Sequence, residues 1–346
     1  MAPVTGQTMY AVVLTGPERL EVQEQPVPTP AAGEVLVAVS AVGICGSDLH
    51  AFHGQRPGME PPVVLGHECA GEVVAVGPGV SPDLVGQAVA VIPMVACGVC
   101  RLCRRGWTNI CPYRQFIGGN LPGGFAQYLR APVRNIVPLP AGLTGPARGV
   151  VEPVSVIAHL FDRLLTGLPG PTAIFGAGFL GLVALQVARR TGVPFVAISD
   201  VRPERLALAR DLGASLVIDS RTEDPVAVLR QRFGPEGVEL VIDAAGITAT
   251  RQQALAVAGP GATVGLLGFS DMVSPLDFVH IVRKELRLVA TYASTAEDFE
   301  RAAAWLATGF ITVEELITAH PLREAPAVLP DLVAGRRPVV KVVLVP

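Results

Sequence analysis

Charge is scarce in this chain: Asp, Glu, Lys and Arg make up 16% of 346 residues and leave a net of −3. No block of lysine or arginine accumulates, so the electrostatic footprint needed for nucleic acid or an anionic membrane is missing. Partners are expected among small molecules and other subunits. An export signal is also missing, because Met1 to Gln7 has neither a charged leader nor an apolar segment. A cytoplasmic location is the expectation. The long uncharged stretch between Arg163 and Arg189 is cut by Pro169, Gly170, Pro171, Gly176, Gly178 and Gly181 into pieces too short to cross a bilayer. Glycine and proline, 37 and 31 residues, stay short of a low-complexity composition.

Half the residues are hydrophobic, and the length suggests two domains, each with a core of its own. From 8 to 42, short β-branched runs (10–14 and 35–42) alternate with Pro/Gly turns, the texture of a small antiparallel β unit. Further strands are expected at 71–76 and 87–92, with 45–53 as a loop or short helix. From about residue 153 the pattern becomes strand and helix in alternation. Helices are expected at 154–165, 179–190, 203–212, 224–232 and 249–257, and strands at 171–175, 194–199, 215–218, 239–243 and 262–267. Such alternation implies a parallel sheet with helices on both faces. Phe299, Ala302, Ala303, Leu306 and Phe310 mark a later helix with Ser294 or Thr295 as cap and Gly309 as stop. The run 339–345 is expected to rejoin the N-terminal part as a strand.

Six cysteines are present, and four crowd into Cys97-x2-Cys100-x2-Cys103-x7-Cys111. Without an export signal this reads as metal binding before disulfides. Four thiolates can close a tetrahedral shell around a structural zinc. An iron–sulfur cluster is the rival reading, although its C-x2-C-x2-C-x3-C-P form differs in the last interval; free thiols are the third. A second constellation is spread along the chain: Cys45, the pair His67-Glu68 after an apolar run, and Glu152. Thiolate, imidazole and carboxylate suit a zinc ion that keeps one position open and polarises a substrate oxygen. Cys69 reads as a buried small residue, and His159 as helix packing.

Gly176-Ala177-Gly178-Phe179-Leu180-Gly181 is a G-x-G-x-x-G turn between an expected strand and helix, and Asp200 follows 19 positions later at the end of the next strand. This places a dinucleotide pyrophosphate at the helix N-terminus and its ribose hydroxyls on Asp200. An ordinary tight turn with a surface aspartate is the alternative. A carboxylate at 200 repels a 2′-phosphate and favours NAD over NADP, while Arg202 and Arg205 soften that preference. Ala245 and Gly268, just past two later strands, are assigned to the same cofactor site.

Cys45, Gly66-His67-Glu68 with Gly71 and Gly77 behind it, the four-cysteine lobe, Glu152 and the glycine turn stand in the order found in zinc-dependent medium-chain dehydrogenases. The chain resembles that family over nearly its whole length. It is most similar to the polyol branch: Cys45 to His50 resembles sorbitol and threonine dehydrogenases, and 116–118 with 123–128 resembles the galactitol-phosphate type. The resemblance implies an α/β protein with a GroES-like catalytic domain, 1–153 and 292–346, carrying a structural zinc lobe at 94–113. It also implies a Rossmann NAD-binding domain at 154–291. The implied activity is reversible hydride transfer between a secondary alcohol of a polyol or sugar derivative and NAD, with zinc as catalytic and structural ion. Ser47 and His50 are implied as the proton relay. Cys45 and His67 are implied as permanent ligands, with Glu68 and Glu152 both near the ion and members differing over which one binds it. A homo-oligomer, dimer or homotetramer, is implied as well. Phe52, Phe116 and Arg114 are candidates to line the substrate site. The alternatives are a threonine-type amino-alcohol or simple alcohol dehydrogenase, or a nucleotide-binding protein without catalysis.

Overall fold

Nearly continuous apolar runs in Glu34–Gly43 and Glu68–Val76 pair antiparallel and form the spine of the first of two units into which the chain divides. The computed structural model describes residues 6–56, 59–164 and 170–346. The N-terminal residues up to Thr5, on which most of the export reading rests, and also Leu165 and Pro169, lie outside the described residues. One unit comprises Met1–Ser155 with Ala293–Pro346, the other Val156–Tyr292.

In the first unit a seven-stranded sheet runs Ile136–Pro138, Ala88–Val91, Glu68–Val76, Glu34–Gly43, Lys341–Val345 and Ile317–Pro321, with Tyr128–Pro132 also paired to Glu34–Gly43. The C-terminal strand is antiparallel to Glu34–Gly43, with Val343 opposite Gly43 and Leu344 opposite Val42. This brings Lys341 beside residues nearly three hundred positions away. A smaller sheet joins Thr8–Gly16 to Arg19–Pro26 and Val63–Val64. Leu14, Leu36, Leu65, Phe125 and Leu344 are fully buried among the inward faces, and each such side chain stabilises by about 1.5–3 kcal/mol. The helix Ala296–Ala307 starts on a capping box between Thr295 and Asp298.

The second unit is built from six strands: β1 (Thr172–Phe175), β2 (Val196–Asp200), β3 (Leu216–Asp219), β4 (Val238–Asp243), β5 (Ala258–Leu266) and β6 (Arg287–Ala290). All pairings are parallel and the spatial order is β3-β2-β1-β4-β5-β6, the order of a doubly wound dinucleotide fold. Crossover helices include Phe179–Arg190, Pro203–Asp211, Pro225–Phe233 and Thr248–Val257. The α/β class read from the sequence holds. Most strand and helix expectations agree to within a few residues. Several elements went unread, among them Arg19–Pro26, Tyr128–Pro132, Ile136–Pro138, Phe278–Arg283, β6, Ile317–Pro321 and Ala325–Val333. Most are short, and Ala325–Val333 carries Pro330 inside the helix, which masks the period. No helix among the described residues is long and apolar enough to cross a membrane.

Candidate active site

Cys45 precedes the short helix Gly46–Phe52, and its backbone N–H donates to Asp48 Oδ2 at 2.8 Å. Asp48 is thereby folded back under the helix start and wholly buried, with Oδ1 3.5 Å from His67 Nδ1. A carboxylate facing Nδ1 holds the proton there and turns Nε2 outward as a lone-pair donor, the usual support for a metal-binding histidine. Gly66, at φ +90°, supplies the turn that delivers His67 and Glu68, and the Phe125 ring packs where a side chain at 66 would stand. The outcome is a cluster in which one ligand atom each from Cys45, His67 and Glu68 lies within 4.8 Å of the others. Ser47 Oγ stands 3.4 Å from His67 Nε2.

Electrostatics around the cluster favour added positive charge. Burial alone would depress the His67 imidazole, but the Asp48 carboxylate and the Cys45 thiolate reverse this and hold it well above its ordinary value. Burial would raise Asp48, and His67 overcomes that to leave it lowered. Glu152, in the first turn of the helix Val151–Leu164, is pushed up to about 7 by burial, with the neighbouring Glu68 adding to the rise and His67 and Lys341 opposing it. Glu152 is not one of the three converging ligands, although the charges of His67 and Glu68 both act on it. A pocket that gathers thiolate, imidazole and two carboxylates fits a divalent cation by the chemistry of its donors.

Sequence reasoning missed two residues here. Lys341 Nζ lies 2.6 Å from Glu68 Oε1 and 2.5 Å from Oε2 and also donates to the Ile44 carbonyl, with both partners of the ion pair buried. Its only signal was a lysine inside an otherwise apolar strand. Asp48, quoted as part of a motif, had no assigned role. Among the substrate-lining candidates, only Phe116 reaches the cluster, its ring centroid 5.1 Å from that of His67. Phe52 is sunk in the hydrophobic core, and Arg114 donates to the Cys111 carbonyl in the cysteine lobe. His50 is half-buried in the last turn of the Gly46–Phe52 helix, one turn on from Ser47. Cys69 donates to the Gly66 carbonyl from within the core, and burial pushes its thiol up, as befits a packing residue. His159 lies half-buried in the helix Val151–Leu164.

The four lobe cysteines converge as a second group. Their sulfurs are 3.4 Å (Cys100 to Cys103) and 3.9 Å (Cys97 to Cys103, Cys100 to Cys111) apart. A disulfide needs about 2.05 Å, whereas the edge of a tetrahedron with bonds of about 2.3 Å is about 3.8 Å. The spacing suits one ion held by all four sulfurs better than a multi-iron cluster, whose cysteines ligate different irons. Backbone amides of the lobe hold the Cys97 thiol down to about 6 and lower Cys100, while burial and neighbouring sulfurs push Cys103 up to about 12.

In the second unit Gly176 adopts φ +100° at the end of β1, with Ala245 against it, and a side chain at Gly181 would run into the Gly176 carbonyl. Gly178 caps the helix Phe179–Arg190 and leaves its N-terminus open to an approaching group. Asp200 Oδ2 accepts from Ala177 N at 2.7 Å and Oδ1 from Arg202 N at 2.9 Å, with Arg205 3.8 Å away. Asp200 therefore braces the glycine turn as well as facing it. Gly268 packs on Gly246, a residue the sequence reading passed over. Buried Asp243 accepts from Gly246 N and Thr250 Oγ1 and holds that loop in place.

Residues 31–141 match the model for the alcohol dehydrogenase GroES-like domain and 180–308 the model for the zinc-binding dehydrogenase domain. The chain is 35% identical to a sorbitol dehydrogenase of Bacillus subtilis over 92% of its own length and 91% of that protein. It is 33% identical to L-galactonate-5-dehydrogenase of Escherichia coli, over 90% and 91%. The crystal structure of an Escherichia coli CFT073 alcohol dehydrogenase, RspB, complexed with NADH, superposes with a TM-score of 0.91 at 32% identity, covering 98% of this chain and 100% of the other.

Proposed function

The chain belongs to the zinc-dependent medium-chain dehydrogenases, in their polyol branch, and from that premise we propose that it oxidises a secondary alcohol of a polyol or sugar derivative with NAD, reversibly, in the cytoplasm. One observation carries this reading: Cys45, His67 and Glu68, brought together from separate segments, converge beside a serine hydroxyl. Cys45 and His67 are the fixed metal ligands. Glu68 is the carboxylate already in reach, and Glu152 the second carboxylate of the site, pushed up to about 7 by burial. Zinc held by these residues would polarise the alcohol oxygen and lower its pKa, and a bound nicotinamide would supply the hydride acceptor. Ser47 accepts the alcohol proton and passes it towards His50, which shares its helix face at i, i+3. The carbinol carbon loses a hydride, the oxygen loses a proton, and a ketone remains.

The ion of the cysteine lobe is assigned a structural role, since four sulfurs leave no position for substrate. Two zinc ions per chain are therefore expected by elemental analysis. Chelation of the accessible ion should abolish NADH formation across a polyol panel. Nucleotide binding without metal-dependent turnover on any alcohol would favour a non-catalytic protein. Competition by threonine and simple alcohols in the same assay separates the amino-alcohol reading.

Gly176, Gly178, Phe179, Leu180, Gly181, Ala245 and Gly268 are assigned to the cofactor, with Asp200 towards the ribose and Arg205 beside it. Asp200→Ala is expected to erode the preference for NAD. The NAD to NADP ratio of kcat/KM is the measurement, since loosening of the glycine turn affects both cofactors alike; an unchanged ratio removes Asp200 from this role.

Self-association is assigned to the open edge β6 and the adjoining helix Phe278–Arg283, where Phe278, Val279 and Val282 are exposed.

A further inference from the structure

Arg56 follows the Gly46–Phe52 helix in the chain, and its guanidinium carbon lies 5.0 Å from the centroid of the Phe116 ring. Phe116 in turn packs on His67 at 5.1 Å. Laid end to end, these separations put the guanidinium within about 10 Å of the ligand imidazole, a distance spanned by a substrate of about five or six carbons plus a terminal substituent. The Nη1 nitrogen of Arg56 is buried, and among the described residues nothing accepts a hydrogen bond from it. The nearby carboxylate, Asp48, senses the Arg56 charge, but its Oδ2 accepts from Cys45 N and its Oδ1 faces His67 Nδ1 at 3.5 Å.

Some basic side chains elsewhere among the described residues reach carbonyl acceptors. Arg230, His280 and Lys284 all reach carbonyls at the end of the helix Thr248–Val257, those of Ala256, Leu255 and Ala258. Arg56 Nη1 has no such acceptor among the described residues. A guanidinium stacked on an aromatic face keeps its in-plane donors free, and their fork matches carboxylate or phosphate oxygens.

We propose that Arg56 receives an anionic group, carboxylate or phosphate, carried by the substrate beyond the carbon that is oxidised. The inference rests on the polyol dehydrogenase reading and narrows it: the alcohol at the metal belongs to a sugar acid or a sugar-alcohol phosphate. The chain length between the two groups decides which hydroxyl is presented for oxidation.

The test compares wild type, Arg56→Met and Arg56→Lys with sorbitol, gluconate and sorbitol 6-phosphate, each with NAD and zinc-loaded protein. Wild type is expected to favour one of the two anions over sorbitol, and which one identifies the anionic group. Arg56→Met is expected to lose about 100-fold in kcat/KM for that anion, mainly through KM, and less than about threefold for sorbitol. Arg56→Lys, which keeps the charge without the fork, should fall between them. Sorbitol favoured over both anions, or equal losses on all three substrates, overturns the proposal, the second result meaning that Arg56 merely offsets the charge of Asp48. A wild-type protein that oxidises no alcohol at all defeats the polyol reading instead. Calorimetric titration of gluconate and sorbitol 6-phosphate into wild type and Arg56→Lys then decides Arg56 alone: tighter binding to wild type supports it, and equal or absent binding overturns it.

Discussion

Cys45→Ala is expected to lower kcat/KM for alcohol oxidation by at least about 10³-fold while NADH still binds. The reasoning starts from the donor set. Polarisation of a substrate oxygen by a metal is worth several kcal/mol of transition-state stabilisation, and each 1.4 kcal/mol or so is a factor of ten in rate. Of the three side chains that converge, Cys45 brings the thiolate, while Glu68 is shared with Lys341. Without Cys45 the remaining donors are an imidazole and a carboxylate already neutralised by a lysine, a poor cradle for zinc. The glycine turn and Asp200 belong to the other unit, so nucleotide affinity should change by less than about twofold. Zinc content should fall from two ions per chain to one, with the lobe ion retained. Activity within tenfold of wild type, or retention of both ions, would remove Cys45 from the catalytic site.

Lys341→Met is expected to destabilise the protein by about 3–5 kcal/mol, the usual cost of stripping the partner from a buried charge. Lys341 and Glu68 are 6% and 1% exposed, so solvent does little to screen the pair. Burial would lower the lysine, but Glu68 and then Cys45 outweigh it and hold the ammonium raised. With methionine in its place, the Glu68 carboxylate remains buried against the Cys45 thiolate. For a unit of this size the loss corresponds to a fall in Tm on the order of 10 °C. The control is Lys341→Met combined with Glu68→Gln. If the pair is the cause, the double variant should recover most of the loss, because no uncompensated charge is left. A single variant as stable as wild type, or no recovery in the double, shows that the lysine serves packing alone.

These two experiments probe features that were unequally visible in the primary structure. The cysteine and histidine of the catalytic cluster were picked out by residue type, and the four-cysteine lobe by spacing within fifteen positions. The glycine turn was legible because its three glycines, the strand before and the helix after form one contiguous segment. Asp200 was legible from its interval alone, yet its hydrogen bonds to Ala177 N and Arg202 N were not. Those depend on how β1 and β2 lie side by side. The helix Ala296–Ala307 was found through Thr295 and Gly309, signals that act within a single turn.

The chain by itself thus determined the alternation that builds a parallel sheet, the metal-binding residue types and the turn for a dinucleotide, because these are written by neighbours along the backbone and enforced by local sterics and hydrogen bonding. Only the tertiary structure decided that Asp48 faces His67 Nδ1, that Lys341 holds Glu68 across 273 positions, that Glu152 is not among the converging three, and that Arg56 Nη1 finds no acceptor among the described residues. Charge pairing in a buried pocket depends on distance in space, which falls as the sheet closes the last strand onto Glu34–Gly43, and no periodicity along the chain records that closure.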